Sequence, residues 1–214
     1  MTIAEARRQR RSLYLLVLDD GREIPIDLHT FDESVYRVGG SITEEQLEEL
    51  QQLSMYHRAR ERALYLLGLR DYACRELEQK LLSEATPEIA AAVIERLREV
   101  GLLDDERYAE RMARSLSEYK QMPRRRVMQE LQRRGVSRDT ASAAAEEIEC
   151  EDFEQALAIL RKKYYNKMSD RDARQRVVAA LARRGFSYEA VRQAMQAFDD
   201  AAHIEIEETE DQWQ

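Results

Sequence analysis

RRVMQELQRRGV occupies residues 125–136, and QRVVAALARRGF follows it fifty residues later at 175–186. A third stretch of the same character, RELEQKLLSEAT, stands fifty residues upstream at 75–86. Self-similarity at a fixed period of this length marks three copies of one unit, stacked because no single copy can bury its apolar face alone. Inside each copy the apolar residues fall four apart: Leu77 and Leu81, Val127 and Leu131, Val177 and Leu181. That spacing belongs to one face of a helix. In the two later copies Arg-Arg-Gly ends the phrase, with Gly135 and Gly185 placed to take the left-handed conformation of a helix C-cap.

Outward from the phrase, each copy reads as three helices. In the first, Ala59, Ala63, Leu64 and Leu67 line a helix ending near Gly68, and Asp71 is the expected cap of the next. Thr86-Pro87-Glu88 then offers a cap, a first-turn proline and a first-turn acid for a third helix carrying Ile89, Val93, Ile94 and Leu97, stopped by Gly101. The second copy opens at Asp104-Asp105, and Ser137 caps its last helix, which holds Ala141, Ala144, Ala145 and Ile148. The third repeats the plan with Ala156, Leu157, Leu160, Ser187, Val191, Met195 and Phe198. The expected fold is mainly α, with three tandem three-helix repeats at 57–103, 104–150 and 151–198.

Residues 1–56 read differently. The first eleven contain Arg7, Arg8, Arg10 and Arg11 with little that is apolar, which predicts a mobile basic arm. Leu13 to Leu18, Asp19-Asp20-Gly21, then Ile24, Ile26 and Leu28 alternating with polar residues predict a small β-hairpin. Two strands are marginal in water, so the hairpin is expected to pack on the helices that follow. Phe31, Val35 and Tyr36 suggest a short helical turn before Gly39-Gly40. Thr43 and Gln46 form a capping-box pattern ahead of Leu47, Leu50 and Leu53; whether that helix continues through Tyr56 is left open.

Composition excludes several function classes. With 43% hydrophobic residues, seven Gly and three Pro in 214 residues, the chain has enough apolar material for a core and few loop formers. It has no run of eighteen apolar residues and no apolar leader, so the reading is a cytoplasmic protein without membrane contact. Cys74 and Cys150 lie 76 residues apart, and His29, His57 and His203 are scattered singly, so neither a disulfide framework nor a metal site is expected. Glycine-rich phosphate loops and nucleophile elbows are missing, so no catalytic residues, metal or cofactor are assigned. The acidic pair Asp104-Asp105 reads as a helix start.

The net charge of -8 is unevenly spread: -5 over residues 1–50, +4 over 51–198 and -7 over the tail 199–214. Within the repeats, 107–134 carries a local +6 and 161–184 a local +7. Candidate binding residues are Arg111, Arg114, Lys120, Arg124, Arg125, Arg126, Arg133 and Arg134 in the first cluster. The second cluster supplies Lys162, Lys163, Arg174, Arg183 and Arg184, with Tyr164 and Tyr165 as faces on which a base or partner could stack. The Arg-Arg-Gly arginines sit where cations offset the negative end of a helix dipole, so they carry a capping reading beside the binding one. Arg124, Arg125 and Arg126 start a helix, the wrong end for that role, which favours binding there. A helix-turn-helix reading through GVSRDT at 135–140 is the alternative, but its recognition helix offers mainly Ala and Ser and ends in Glu146 and Glu147, acids that would meet phosphates.

GLLDDERYAERMARS at 101–115 and KQMPRRRVMQELQRRGVS at 120–137 closely resemble the hallmark region of the RecX family of bacterial regulatory proteins. RALYLLGLRDYACRELEQKLL at 62–82 extends the likeness, which covers residues 57–198. The resemblance implies an elongated, curved body that binds the RecA recombinase and the RecA–DNA filament, lodges in the filament groove, and restrains strand exchange, ATPase and co-protease activity. Some members also bind DNA directly, and a monomer is expected. Ala85, standing where later repeats have Gly, and Pro123 depart from the pattern, and the hairpin is not carried over from it.

Overall fold

The structure, a computed structural model, describes residues 1–10, 12–149, 151–168 and 170–211, with side chains described for these except residues 10 and 201–211. The chain divides into two compact units, Met1–Asp104 and Asp105–Gln214. Arg11, Cys150 and the last three residues lie outside the described set, as do the side chains of the acidic tail from 201 onward.

The first unit opens with an antiparallel sheet, β1 (Ile3–Arg10), β2 (Leu13–Leu18) and β3 (Glu23–Asp27), in the order β1-β2-β3. The expected hairpin is β2 and β3. The expected mobile arm is instead a third strand, with Arg7 opposite Leu15 and Arg8 opposite Tyr14. One residue explains the difference: Ile3 is fully buried with Leu16, Leu18 and Ile26, against Phe31, Ile42, Leu47 and Leu50. The covering elements are α1 (Leu28–Glu33), capped by the Asp27 carboxylate, and α2 (Glu44–Leu69). Thr43 and Gln46 form the expected capping box at 3.2 and 3.0 Å.

The α2 helix runs without a break through Tyr56. Leu47 and Leu50 serve the sheet core, and Ala59, Ala63 and Leu66 serve the core of the first repeat. The latter is closed by Leu77 and Leu81 of α3 (Cys74–Leu81) and Val93, Ile94 and Leu97 of α4 (Pro87–Glu99). Thr86 caps α4 with Pro87 in its first turn, as the sequence reads. At α3 it does not: the N-cap is Ala73, without a side-chain cap, rather than Asp71. Tyr72 and Ala73 are buried, so apolar burial rather than a carboxylate sets this boundary.

The second unit holds α5 (Asp105–Glu118), α6 (Arg124–Arg133) and α7 (Arg138–Glu146), then α8 (Asp152–Ile159), α9 (Arg171–Arg184) and α10 (Tyr188–Asp211). The helix of α8 continues as a π-helical turn, Leu160–Tyr164. Gly135 and Gly185 take the left-handed conformation, with φ of 93° and 101°. Each makes the paired hydrogen bonds of a Schellman cap. The Val136 amide reaches the Leu131 carbonyl and the Phe186 amide reaches that of Leu181, while both ring-closing side chains are buried. Ser137 and Ser187 then cap the next helix, accepting from Thr140 and Ala190 amides at 3.1 Å. Between the second and third copies, then, the fifty-residue period repeats one stop and one restart, from the second helix into the third.

Candidate functional site

Arg124 begins α6 and is committed to structure. Its amide donates to Asp152 Oδ1 at 3.0 Å, and its Nη2 donates to the Ile148 carbonyl at 2.6 Å, just beyond the end of α7. The same guanidinium lies 3.4 Å from Glu151 Oε1. Arg174, fifty residues on at the start of α9, pairs with Asp199 of α10. In both repeats, therefore, an arginine at the head of the second helix ties it to the third, at its end in one case and at mid-helix Asp199 in the other. Asp152 answers the positive start of α6 from outside the helix, a contact 28 residues away in sequence. A buried hydrogen bond, Gln155 Nε2 to Ser117 Oγ at 2.6 Å, joins α8 to α5 in the same unit.

Arg125 and Arg126 remain exposed beside it. Gly185, closing α9, packs against this helix start: a Cβ there would lie 3.2 Å from Arg126 Cβ and 3.5 Å from Pro123 Cγ. The Arg183-Arg184-Gly185 end of one repeat therefore meets the Pro123 to Arg126 start of the other. The aliphatic stem of Arg126 lies against Gly185 at the end of α9. The two basic clusters of the sequence are brought together at this seam, with Arg125, Arg126, Arg183 and Arg184 all exposed. Lys120 is exposed in the link just before it. Tyr119 (83% exposed) and Tyr188 (78%) flank the seam in sequence and escaped the sequence reading. Their signal was position alone: an aromatic four residues ahead of Pro123 and another three after Gly185.

Other candidates stand elsewhere. Arg133 grips Glu130 with two hydrogen bonds, 2.9 and 2.7 Å. Arg134 is half-buried, reaching Glu130 at 3.0 Å and the Tyr108 hydroxyl at 3.5 Å. The Arg133 guanidinium, joined by Arg134, holds the Glu130 carboxyl down at about 2. Tyr164 packs on the core of the third repeat, whereas Tyr165 is exposed and sets its ring edge to Phe198 at 5.9 Å. Lys162 and Lys163 are exposed on the π-helical turn, and Arg111 and Arg114 on α5. Arg114 lies in an acid-walled groove between α5 and α7.

Models of three successive RecX domains match this chain: the first three-helix domain at 59–97, the second at 104–144 and the third at 149–195. The chain belongs to the RecX family. Its relatives include a protein of Halorhodospira halophila named regulatory protein RecX, 38% identical over 143 residues covering 66% of this chain and 88% of that one. Another protein of that name, from Streptococcus sanguinis, is 27% identical over 100% of this chain and 81% of its own length. Among solved structures, a regulatory protein RecX superposes with a TM-score of 0.68 at 20% identity, over 92% of this chain and all of that one. The RecX of Lactobacillus salivarius gives 0.62 at 21% identity, over 69% of this chain and 98% of that one. Those likenesses establish a shared fold. Among the described residues no helix is long and apolar enough to cross a membrane.

Proposed function

We propose that this chain modulates the RecA recombinase in the cytoplasm, binding RecA and its nucleoprotein filament through the basic seam of the second unit and restraining strand exchange, ATPase and co-protease activity. The observation that carries the reading is the contact of Gly185 with Pro123 and Arg126, which joins two separate basic clusters into one exposed surface. A continuous cationic surface suits a long anionic partner that one short cluster would hold weakly. Spanning neighbouring protomers of a filament would oppose their rearrangement. Because part of the attraction is screened, association slows as salt rises.

Direct DNA binding by a helix-turn-helix finds less support. The helix that would enter a groove is α7, and its outward acids, Asp139 and Glu147, line a negatively charged hollow. Titrating the chain into RecA assembled on single-stranded DNA, and separately into the DNA alone, separates the readings. The regulator binds the filament tightly and lowers ATPase turnover and strand exchange; tight, salt-steep binding to DNA with no effect on RecA overturns it.

A further inference from the structure

On the second repeat, α5 and α7 enclose a concave groove distinct from the basic seam. Two adjoining hollows of about 410 and 360 Å³ make it up, sharing Glu110, Ala144 and Glu147. The floor is Ala143, Ala144 and Ile148; the walls include Glu106, Glu110, Asp139 and Glu147. Arg114 is the cation among the residues lining the first hollow. Of the small residues of α7, Ala143 and Ala144 line this space, while Ala141 and Ala145 are buried in the repeat's own core.

Alanine along a helix lets a second helix approach closely, near the short end of the usual interaxial range. The floor thus admits a helix, and the walls state its charge. We propose that the α5–α7 groove is a docking site for a basic amphipathic helix of a protein partner, with lysines or arginines at i, i+4 and i+7 reaching Glu110, Glu147 and Asp139 while small residues lie over Ala143 and Ala144. The occupant is argued from charge complementarity: net negative walls around an alanine floor repel phosphate and attract lysine and arginine side chains. The site stands apart from the seam, so either surface can fail without the other.

The full-length chain is tested by fluorescence anisotropy with a labelled sixteen-residue helical peptide of Ala and Lys, lysines spaced four and three apart, and with its Lys→Glu counterpart. The lysine peptide binds and the glutamate peptide does not. E110Q with E147Q weakens binding at least tenfold. A143W, which changes no charge and fills the groove at an exposed position, does the same, and A143S stays within twofold. Neutralising Glu205, Glu207, Glu208 and Glu210 to Gln leaves affinity within twofold, as does R125E with R126E. Loss of binding in the tail variant instead, unchanged affinity in A143W, or no binding of the lysine peptide by the wild-type chain overturns the proposal. Sedimentation showing the chain self-associating through this groove, with A143W abolishing it, likewise overturns it in favour of a second copy.

Discussion

The second and third repeats share one backbone plan and diverge in what fills it. Both end the middle helix at a left-handed glycine, cap the next with serine, and fasten it with an arginine fifty residues apart, Arg124 or Arg174. The third repeat packs Ile159, Leu160, Val191 and Phe198 inside that frame. The second packs Tyr108, Leu116, Val127, Leu131 and Ile148 with three alanines of α7, and carries an acid-walled groove on its surface. The lesson is a division of labour. Stops, caps and leucine positions build the same buried frame in both, and the exposed residues around it decide what each unit offers at its surface.

The largest effect that would break this comparison comes from core truncation in the third repeat. F198A leaves a hole where an aromatic ring is 8% exposed and lowers unfolding free energy by about 4 kcal/mol, read by denaturant midpoint. The groove variant A143W changes stability by less than about 0.5 kcal/mol, as expected for an exposed site. An equal loss in both would erase the distinction between buried frame and exposed groove.

Next in size are the glycines. G185A forces a side chain into φ of 101° and to within 3.2 Å of Arg126 Cβ, costing about 2 kcal/mol. G101A, with φ of 71° and nothing within 4 Å, costs about 1 kcal/mol. Equal costs would deny that Gly185 is a packing contact between repeats as well as a turn.

Glu130 provides a smaller, pH-resolved effect. Its carboxyl is held at about 2 in the folded chain against an ordinary 4.5, so its contribution is complete above 4.5 and is lost as pH falls toward 2. E130Q therefore destabilises by about 1–2 kcal/mol at neutral pH. The gap to wild type closes between those two values. Smallest of all, R133A changes stability by less than about 1 kcal/mol, because that side chain is 72% exposed and the more buried Arg134 keeps its own hold on Glu130.

Much of the frame was legible in the residues. Leu77, Leu81, Val127, Leu131, Val177 and Leu181 are all buried as their spacing requires, and Thr86, Ser137, Gly135 and Gly185 cap as their types require. The first strand was not legible. Irregular register between Ile3 and Glu5 and between Arg8 and Arg10 breaks its alternation, so the two-residue period that betrays a strand never appears. The structural contacts of Arg124 were hidden for another reason. Its position at a helix start argued against a capping role, yet the carbonyl end it serves belongs to a different helix, 24 residues away. Contacts of that range leave no local signature. The seam itself was half legible: both basic clusters could be seen, but only the fold places the end of α9 on the start of α6.

The central claim is that this seam, rather than basic charge in general, engages the RecA filament. The direct measurement is inhibition of RecA strand exchange by the chain carrying R125E, R126E, R183E and R184E, beside a chain carrying R133E with R161E, both with wild-type circular dichroism. The seam variant should need at least tenfold more protein for half inhibition, and the control should stay within twofold of wild type. Undiminished inhibition by the seam variant, or an equal loss in the control, would contradict the assignment.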